Sequence, residues 1–413
     1  MYVKLHSSYH NSSPAEAAKE YLSACVHCGF CLATCPTYLD AQDERDSPRG
    51  RIYLIKQLLE TGSAGQATQS HLDRCLSCRN CETTCPSGVE YGSLLDIGRD
   101  LVEQQVNRPL PAKIKRWLLR TIVSRPALFG IFLKTGQFFR PILPGFVQQK
   151  IPRKQKRLEQ PSSQHARTML VLAGCVQSAA TPNTNGAARR VLDRLGISLI
   201  SIKEAGCCGA VNYHLSAQKD GLDNMRSNID AWWPYINPES GRPAEAIVST
   251  ASGCGSMLVD YGRLLAHDPA YADKAKRVSE LCKDICEIIL AEDMQLLFRN
   301  GKGDPPRGKV AVHTPCTLQH ALKLPEAIPT ILARAGFELV DTTEKHLCCG
   351  SAGSYSILQP DISERLLDNK LQALNIDQAS VIATGNVGCQ LQLGTKSIVP
   401  VRHWIELLDE LPA

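Results

Sequence analysis

Two copies of one cysteine run stand in the first ninety residues and constrain what this chain can fold around. The first copy ends at Pro36 and the second at Pro86. Their cysteines are Cys25, Cys28, Cys31 and Cys35 in the first run and Cys75, Cys78, Cys81 and Cys85 in the second. Both runs match C-x2-C-x2-C-x3-C-P, in which three thiolates surround one iron–sulfur cubane and the fourth cysteine ligates the neighbouring cluster.

This spacing predicts two [4Fe–4S] clusters that exchange their fourth ligands. The predicted sets are Cys25, Cys28, Cys31 and Cys85 for one cluster and Cys75, Cys78, Cys81 and Cys35 for the other. Zinc is the alternative, since C-x2-C pairs also bind zinc. Four ligands complete a zinc site, so the third C-x2 step and the trailing C-x3-C-P favour iron and sulfide. Clusters held this close together suit the relay of single electrons.

A second cysteine pattern is repeated in the remainder of the chain. Each copy has a lone cysteine, a Cys-Cys-Gly triplet and one further cysteine. The residues are Cys175, Cys207, Cys208 and Cys254 in the first copy and Cys316, Cys348, Cys349 and Cys389 in the second. The lone cysteine and the triplet are both offset by 141 residues between the copies. A conserved offset of this kind indicates an internal duplication.

Apolar runs alternate with helical patterns around these cysteines. The runs cover residues 169–173, 197–202 and 247–250 in the first copy and 310–313, 337–340 and 381–384 in the second. This alternation predicts two α/β units with largely parallel sheets. Sites in such sheets form beyond the carboxyl ends of the strands, where helix N-termini offer N–H groups to cluster sulfur. The cysteines that follow these runs are therefore well placed for ligation, and Gly209 and Gly350 allow the backbone a close approach or a positive φ.

The chain therefore divides into four predicted segments. Residues 1–106 form an α-helical ferredoxin domain, with an expected helix over Ile52–Leu59 between the two cysteine runs. Residues 107–165 form a basic, aromatic linker. Residues 166–305 and 306–413 form the first and second cysteine-rich α/β domains.

Positive charge is concentrated in the linker. Lys113–Arg157 carries twelve Lys and Arg residues and no acidic residue. Since the whole chain has a net charge of +5, the residues outside this stretch carry a net charge of about −7. Six aromatic residues lie in the same stretch, which four prolines should divide into several short helices. We expect docking to anionic lipid or to a partner protein; a solvated linker is the alternative. Nucleic acid is a poor partner for such a relay.

The rest of the sequence favours a cytoplasmic protein that contacts the membrane peripherally. No run approaches 18 consecutive apolar residues, and Met1–Pro14 lacks the apolar region of a secretory signal. Cysteines in a large chain of this kind stay reduced. Cys282 and Cys286 stand outside both patterns, in an apparent helix over Leu281–Leu290, and a packing role is expected for them.

The two halves resemble known modules. The N-terminal region resembles the α-helical ferredoxin domain of succinate dehydrogenase iron–sulfur subunits, and the triplets resemble the cysteine-rich (CCG) domains of heterodisulfide reductase. That pattern ends in C-x-x-C, but Ala251 and Asn386 replace its first cysteine here. Three interpretations follow: a four-cysteine cluster in each repeat, one cluster between the repeats, or a structural remnant. Adjacent reactive cysteines in a glycine turn favour metal.

From end to end the chain resembles the iron–sulfur subunits of bacterial glycolate oxidase. Three motifs carry the resemblance: Ser47-Pro48-Arg49-Gly50-Arg51, Ala173-Gly174-Cys175-Val176-Gln177 and Leu347-Cys348-Cys349-Gly350-Ser351-Ala352-Gly353. It implies partner subunits with FAD that oxidise glycolate, with D-lactate as a second substrate, and no FAD or NAD on this chain. The chain would pass electrons to a membrane acceptor such as quinone.

Three other functions share this layout of cysteines. The third subunit of anaerobic glycerol-3-phosphate dehydrogenase has the same order of modules. A heterodisulfide-reductase-like enzyme would perform thiol chemistry at the Cys-Cys-Gly sites themselves, although each repeat lacks one ligand of that type. A structural adaptor would use its clusters only to brace a docking surface.

Overall fold

Residues 1–106 of the computed structural model fold into six helices around two cysteine loops; the structure describes residues 1–155, 158–297 and 308–412. The helices are α1 (Ser13–Ser23), α2 (Pro36–Ala41), α3 (Pro48–Thr61), α4 (Gln66–Asp73), α5 (Asn80–Thr84) and α6 (Tyr91–Gln105). Leu22, Ile55 and Leu94 from α1, α3 and α6 meet in one apolar core. This is the α-helical ferredoxin domain that the sequence predicts.

Helix α3 shows how local chemistry fixes the element between the cysteine runs. The Ser47 hydroxyl accepts a hydrogen bond from the Gly50 N–H at 2.9 Å, and Pro48 occupies the first turn, where its missing N–H costs nothing. Gly62 ends the helix with a φ of 74°. A methyl group on Gly50 would lie 1.9 Å from the carbonyl oxygen of Glu44, so glycine is required for this close approach.

The linker folds into a helical pair that lies on the surface. Helices α7 (Leu110–Val123) and α8 (Pro126–Phe139) have 14 residues each and are followed by α9 (Gly145–Gln148). The predicted division by prolines is present, since α7 ends before Pro126 and Pro144 precedes α9, although α7 and α8 are longer than expected. Pro126 lies in the first turn of α8, a position that favours proline, and so marks the break between the two helices. Lys156 and Arg157 lie outside the described residues.

The first α/β unit contains a four-stranded parallel sheet in the order β2-β1-β3-β4. Its strands are β1 (Arg167–Val171), β2 (Ile197–Ser201), β3 (Ile247–Ser249) and β4 (Cys282–Asp284). Its helices are α10 (Gln177–Ala180), α11 (Pro182–Arg194), α12 (Ala210–His214), α13 (Gln218–Ile236), α14 (Ser252–Val259), α15 (Tyr261–Leu264), α16 (Ala272–Leu281) and α17 (Ile285–Ala291).

The second unit repeats this topology, with the order β6-β5-β7-β8 and all strands parallel. Its strands are β5 (Lys309–His313), β6 (Glu338–Leu339), β7 (Val381–Thr384) and β8 (Val401–His403). Its helices are α18 (Ala327–Arg334), α19 (Tyr355–Leu358), α20 (Pro360–Ala373), α21 (Val387–Leu393) and α22 (Trp404–Asp409), and a π-helical turn covers Thr317–Ala321. The two predicted α/β units are thus present, and the predicted boundary after residue 305 lies outside the described residues.

The two units share one apolar core. Val191 and Ile289 of the first unit belong to the same buried cluster as Ile328 and Trp404 of the second. Hydrogen bonds cross the seam as well: His403 Nε2 lies 2.9 Å from the Thr250 carbonyl oxygen. Packing on this scale fixes the orientation of the two units relative to each other.

The helix predicted over Leu281–Leu290 is wrong. Cys282 begins β4, and α17 begins only at Ile285, because the Asp284 carboxylate accepts the N–H of Cys286 at 3.0 Å and caps that helix. Both cysteines are buried among apolar side chains. Across the described ranges, no helix combines the length and apolar character that spanning a membrane requires.

Candidate metal centres

The loop of the first cysteine run closes around a small cavity. Five thiols line it: Cys25, Cys28 and Cys31 from the first run, and Cys81 and Cys85 from the second. His27 and Gly29 adopt left-handed conformations with φ of 55° and 86°, which curl the loop between successive cysteines. The structure therefore brings together the four residues that the spacing predicts as ligands of one cluster.

The second run forms a matching group. Its members interact electrostatically with one another and with a cysteine of the first run: Cys75, Cys78, Cys81 and Cys35. Ser77 and Arg79 have φ of 53° and 59°, so this loop curls as the first one does. The exchanged fourth ligands of the prediction, Cys85 and Cys35, thus lie beside the runs to which the spacing assigns them.

The surroundings of these thiols suit a metal cluster. The Cys75 sulfur accepts hydrogen bonds from the Ser77 N–H at 3.4 Å and the Tyr91 hydroxyl at 3.6 Å. Burial raises the pKa of Cys31 to about 11 and that of Cys78 well above its ordinary value. Thiols bind metals as thiolates, so in such a place the charge of a metal must stabilise the deprotonated sulfur. Two sets of four thiols fit two [4Fe–4S] clusters.

A buried cation stands beside the second group. The Arg51 side chain has no exposed surface and lies close enough to Cys75 and Cys35 to interact electrostatically with both. Its guanidinium donates to the His71 carbonyl oxygen at 2.7 Å and lies 3.3 Å from an Asp46 carboxylate oxygen. Sequence reasoning found the motif that contains Arg51 but not this role, which depends on contacts across the fold.

The first Cys-Cys-Gly site gathers four thiols at the carboxyl end of its sheet. Hydrogen bonds between side chains join them in the order Cys175, Cys207, Cys208, Cys254. The bonds from Cys175 and Cys208 lower the pKa of Cys207. Gly209 has a φ of 91°, and a methyl group there would lie 2.7 Å from the Gly221 carbonyl oxygen. Glycine is therefore required for the turn that carries the paired cysteines.

The second Cys-Cys-Gly site has the same frame. Its thiols are joined in the order Cys316, Cys348, Cys349, Cys389. Gly350 has a φ of 81°, and the Asn386 amide donates to the Cys389 sulfur at 3.6 Å. Lys370 is almost fully buried beside the four thiols and donates to the carbonyl oxygens of Glu344 and Lys345.

One residue at the second site was not predicted from the sequence. His313 ends β5 and is fully buried, near Cys349 and Cys389. Burial, with Lys370 nearby, holds the pKa of His313 well below its usual value, so the imidazole is neutral. The only signal in the sequence was its position three residues before Cys316 at the end of an apolar run.

The second site also adjoins the ferredoxin domain. Cys78 interacts electrostatically with both Cys316 and Cys348, and Leu76 packs with Tyr355 between them. The first unit is joined to the ferredoxin domain through pairs of charged or polar side chains instead. Arg79 pairs with Asp260 at 2.6 Å and His214 with Asp96 at 3.0 Å. The two repeats are therefore not equivalent with respect to the predicted clusters.

Comparison with protein families agrees with this division. Residues 21–89 match the 4Fe-4S dicluster domain, and this range contains all eight cysteines of the two runs. Residues 169–259 and 310–394 match the cysteine-rich domain twice, and these ranges contain both Cys-Cys-Gly sites. The family models thus support iron–sulfur clusters as the cofactors of this chain.

Similar proteins span the whole length of the chain. The glycolate oxidase iron-sulfur subunit of Escherichia coli K12 is 52% identical over 411 residues, which cover 99% of each chain. A probable glycolate oxidase iron-sulfur subunit of Bacillus subtilis is 28% identical over 94% of this chain and 93% of its own. Lactate utilization protein A of Bacillus pumilus is 25% identical over 57% of this chain and 96% of its own length.

Proposed function

Since this chain belongs to the family of glycolate oxidase iron–sulfur subunits, we propose that it carries electrons out of a complex that oxidises glycolate. At the coarser level it is the iron–sulfur electron-transfer subunit of a hydroxy-acid-oxidising complex. In our proposal partner subunits that hold FAD oxidise the substrate, because a flavin accepts a hydride and releases its two electrons singly. D-Lactate is the second candidate substrate, supported by the lactate utilization relatives.

One observation carries the proposal: three groups of thiols adjoin one another along the chain's interior. We assign the first cluster to Cys25, Cys28, Cys31 and Cys85, the second to Cys75, Cys78, Cys81 and Cys35, and a further metal centre to Cys316, Cys348, Cys349 and Cys389. Cys81 also lines the cavity of the first group, and Cys78 lies beside the third. This order supports a route from the first cluster through the second to the third site. Such clusters supply reversible uptake and release of single electrons.

The protein around these sites has its own tasks in this proposal. Arg51 keeps a positive charge beside the second group, which favours the reduced, more negative state there. The Tyr91 hydroxyl and the Ser77 N–H orient the Cys75 sulfur by hydrogen bonds. Leu76 and Tyr355 fill the junction with the third site and exclude water from it.

We also propose that α7 and α8 dock the subunit on anionic lipid, where a quinone accepts the electrons. Neither helix has a buried residue. Apolar side chains are exposed along both helices and just beyond them: Leu110, Ile114, Trp117, Leu118, Ile131, Phe132, Phe138, Phe139 and Ile142. Arg116, paired with Asp73, and Lys115, bonded to the Ile357 carbonyl oxygen, tie the pair to the body. Exposed apolar groups in a basic segment that contains no acidic residue favour an anionic lipid surface.

Purification of the native complex tests the proposed function. Flavin analysis should find FAD in partner subunits, and glycolate added without air should reduce the iron–sulfur clusters, as measured by EPR. D-Lactate, L-lactate and glycerol 3-phosphate serve as the comparison substrates. Reduction by glycerol 3-phosphate alone would contradict the proposal and favour the third subunit of an anaerobic glycerol-3-phosphate dehydrogenase.

The same preparation separates the remaining alternatives. A heterodisulfide-reductase-like enzyme would reduce a disulfide substrate at the Cys-Cys-Gly sites, and Cys208→Ser or Cys349→Ser would abolish that reaction. A structural adaptor would leave its clusters oxidised when the flavin is reduced. We expect neither result: the clusters should be reduced by the flavin, and no added disulfide should be consumed.

A further inference from the structure

His313 is a buried histidine whose ring has no hydrogen-bond partner. Its side chain has no exposed surface, and neither Nδ1 nor Nε2 meets a donor or acceptor among the described residues. An imidazole in the core is normally satisfied, since a buried polar atom without a partner loses the hydrogen bonds that it made with water. His403, the comparable buried histidine of β8, does have partners at both nitrogens. The isolation of His313 therefore requires an explanation.

The ring lies at the second Cys-Cys-Gly site. A nitrogen of His313 and the sulfur atoms of Cys349 and Cys389 all lie within 4.8 Å of one another. Groups at this separation can share one metal centre, because nitrogen and sulfur ligands bind at about 2.0–2.3 Å. The orphaned ring and the thiols are two independent observations that point to the same ligand.

The duplication provides an internal comparison. The 141-residue offset between the repeats places Leu172 at the position of His313, and Ala251 and Asn386 each stand three residues before the last cysteine of their repeat. The first site therefore has four thiols and an apolar residue where the second has four thiols and an imidazole. A histidine required only by the fold of the sheet would have no reason to occur at one site and not the other.

We propose that His313 is a ligand, through an imidazole nitrogen, of the metal centre held by Cys316, Cys348, Cys349 and Cys389. The proposal rests on the metal-binding role assigned above to these cysteines. The neutral ring donates a lone pair and adds no negative charge, whereas a thiolate in the same place would add one. Replacement of cysteine by histidine raises the reduction potential of Rieske centres for this reason. Relative to a centre with a fifth thiolate in this place, the second site is thereby made the better electron acceptor, on the side that adjoins the second ferredoxin cluster.

Nitrogen hyperfine spectroscopy tests the ligand directly. The full chain, labelled with 15N-histidine and reduced in steps, should show a strong 15N coupling in HYSCORE spectra of the third iron–sulfur signal. His313→Leu, which installs the residue of the first repeat, should lose this coupling. His10→Gln, at an exposed position, removes a different histidine and should leave it unchanged. The signals of the two ferredoxin clusters report in each variant whether the chain has folded.

A second variant keeps the test decisive if His313→Leu loses the third centre altogether. His313→Cys should retain the iron of that centre, lose the nitrogen coupling and shift its reduction potential downwards. Cys349→Ser shows whether the metal site itself exists, since it should lose the third signal while both ferredoxin signals remain. A wild type with the third signal but no strong 15N coupling would overturn the proposal. A coupling that persists in His313→Leu would overturn it equally.

Discussion

The thiols of Cys78 and Cys316 lie on either side of the junction between the ferredoxin domain and the second α/β unit, close enough to act on each other electrostatically. Leu76, Tyr355 and Leu366 pack around them, and the Tyr355 hydroxyl donates to the Arg74 carbonyl oxygen at 3.0 Å. The sulfur atoms of two modules thus meet inside an apolar contact. An electron route between two modules requires that their sulfur ligands lie close together, and this junction provides that arrangement.

Arg51→Gln should lower the reduction potential of the second ferredoxin cluster. The substitution removes a buried positive charge beside Cys75 and Cys35 and leaves the Asp46 carboxylate without one of its partners. Breaking a buried pair on one side costs about 3–5 kcal/mol, so a lower melting temperature is expected as well. EPR-monitored redox titration and thermal unfolding measure the two effects.

Arg49→Gln is the matched control in the same motif. Arg49 pairs with Glu44 at 2.7 Å, but both side chains are partly exposed, and exposed pairs contribute about 0–1 kcal/mol. Its melting temperature should stay close to that of the wild type. Equal potentials of the second cluster in Arg51→Gln and the wild type would refute the electrostatic role of Arg51.

Gly350→Ala should disrupt the second Cys-Cys-Gly site. A methyl group there would lie 2.4 Å from the Ser363 carbonyl oxygen, and the φ of 81° is unfavourable for alanine. Gly353→Ala separates these causes, since Gly353 also has a positive φ, 63°, but open space around it. The control should lose only about 1–2 kcal/mol, while Gly350→Ala should also lose iron, measured per chain. Equal iron contents in both variants would contradict this account.

Acid should weaken the seam between the α/β units through His403. Burial lowers the pKa of His403 to about 3; Nε2 donates to the Thr250 carbonyl oxygen, and Nδ1 accepts the Ile405 N–H. Below about pH 6.5 the unfolded chain binds a proton that the folded chain does not. The free energy of unfolding therefore falls, by up to about 1.4 kcal/mol per pH unit, until about pH 3.

Thermal unfolding at pH 7.5 and 5.5 measures this loss. His403→Gln should melt lower at pH 7.5 but change less between the two pH values than the wild type does. His10→Gln, at an exposed position, should keep the pH dependence of the wild type. A His403→Gln variant with an undiminished pH dependence would show that other groups govern the acid response.

Replacement of Phe132 and Phe138 by serine should weaken binding to vesicles that contain phosphatidylglycerol. Both side chains are exposed on α8, and the loss of buried apolar area reduces insertion into the interface. Ile398→Ser, an exposed apolar residue far along the chain, is the control. Co-sedimentation should also fall with added salt, because the cations of the pair act through screened charge. Equal binding by the double variant and the wild type would exclude α8 as the docking surface.

Spacing alone was sufficient for features that depend on neighbours in the sequence. It predicted that Cys85 joins the first run and Cys35 the second, and the structure groups these thiols accordingly. The 141-residue offset predicted an internal duplication, and the alternation of apolar runs with helices predicted two α/β units. The two units have the same strand order. The prolines divide the linker into helices as predicted, with Pro126 in the first turn of α8, a position that accepts proline.

Other features depend on contacts that no local pattern encodes. Strands β4 and β8 have three residues each, too few to show a period of two, and pairing with their neighbours defines them. The role of Arg51 depends on helices far apart in the sequence. In the sequence, His313 is an ordinary histidine at the end of an apolar run. Only the folded structure places its unpartnered ring beside Cys349.

Rapid-freeze EPR of the purified complex, mixed with glycolate and a soluble quinone analogue, tests the central claim most directly. Cys349→Ser and its counterpart in the first repeat, Cys208→Ser, are compared with the wild type. If electrons leave through the second Cys-Cys-Gly site, Cys349→Ser should let glycolate reduce both ferredoxin clusters but should stop quinone reduction, while Cys208→Ser should impair it less. Unchanged quinone reduction in Cys349→Ser, with its third signal absent, would contradict the route proposed for this subunit.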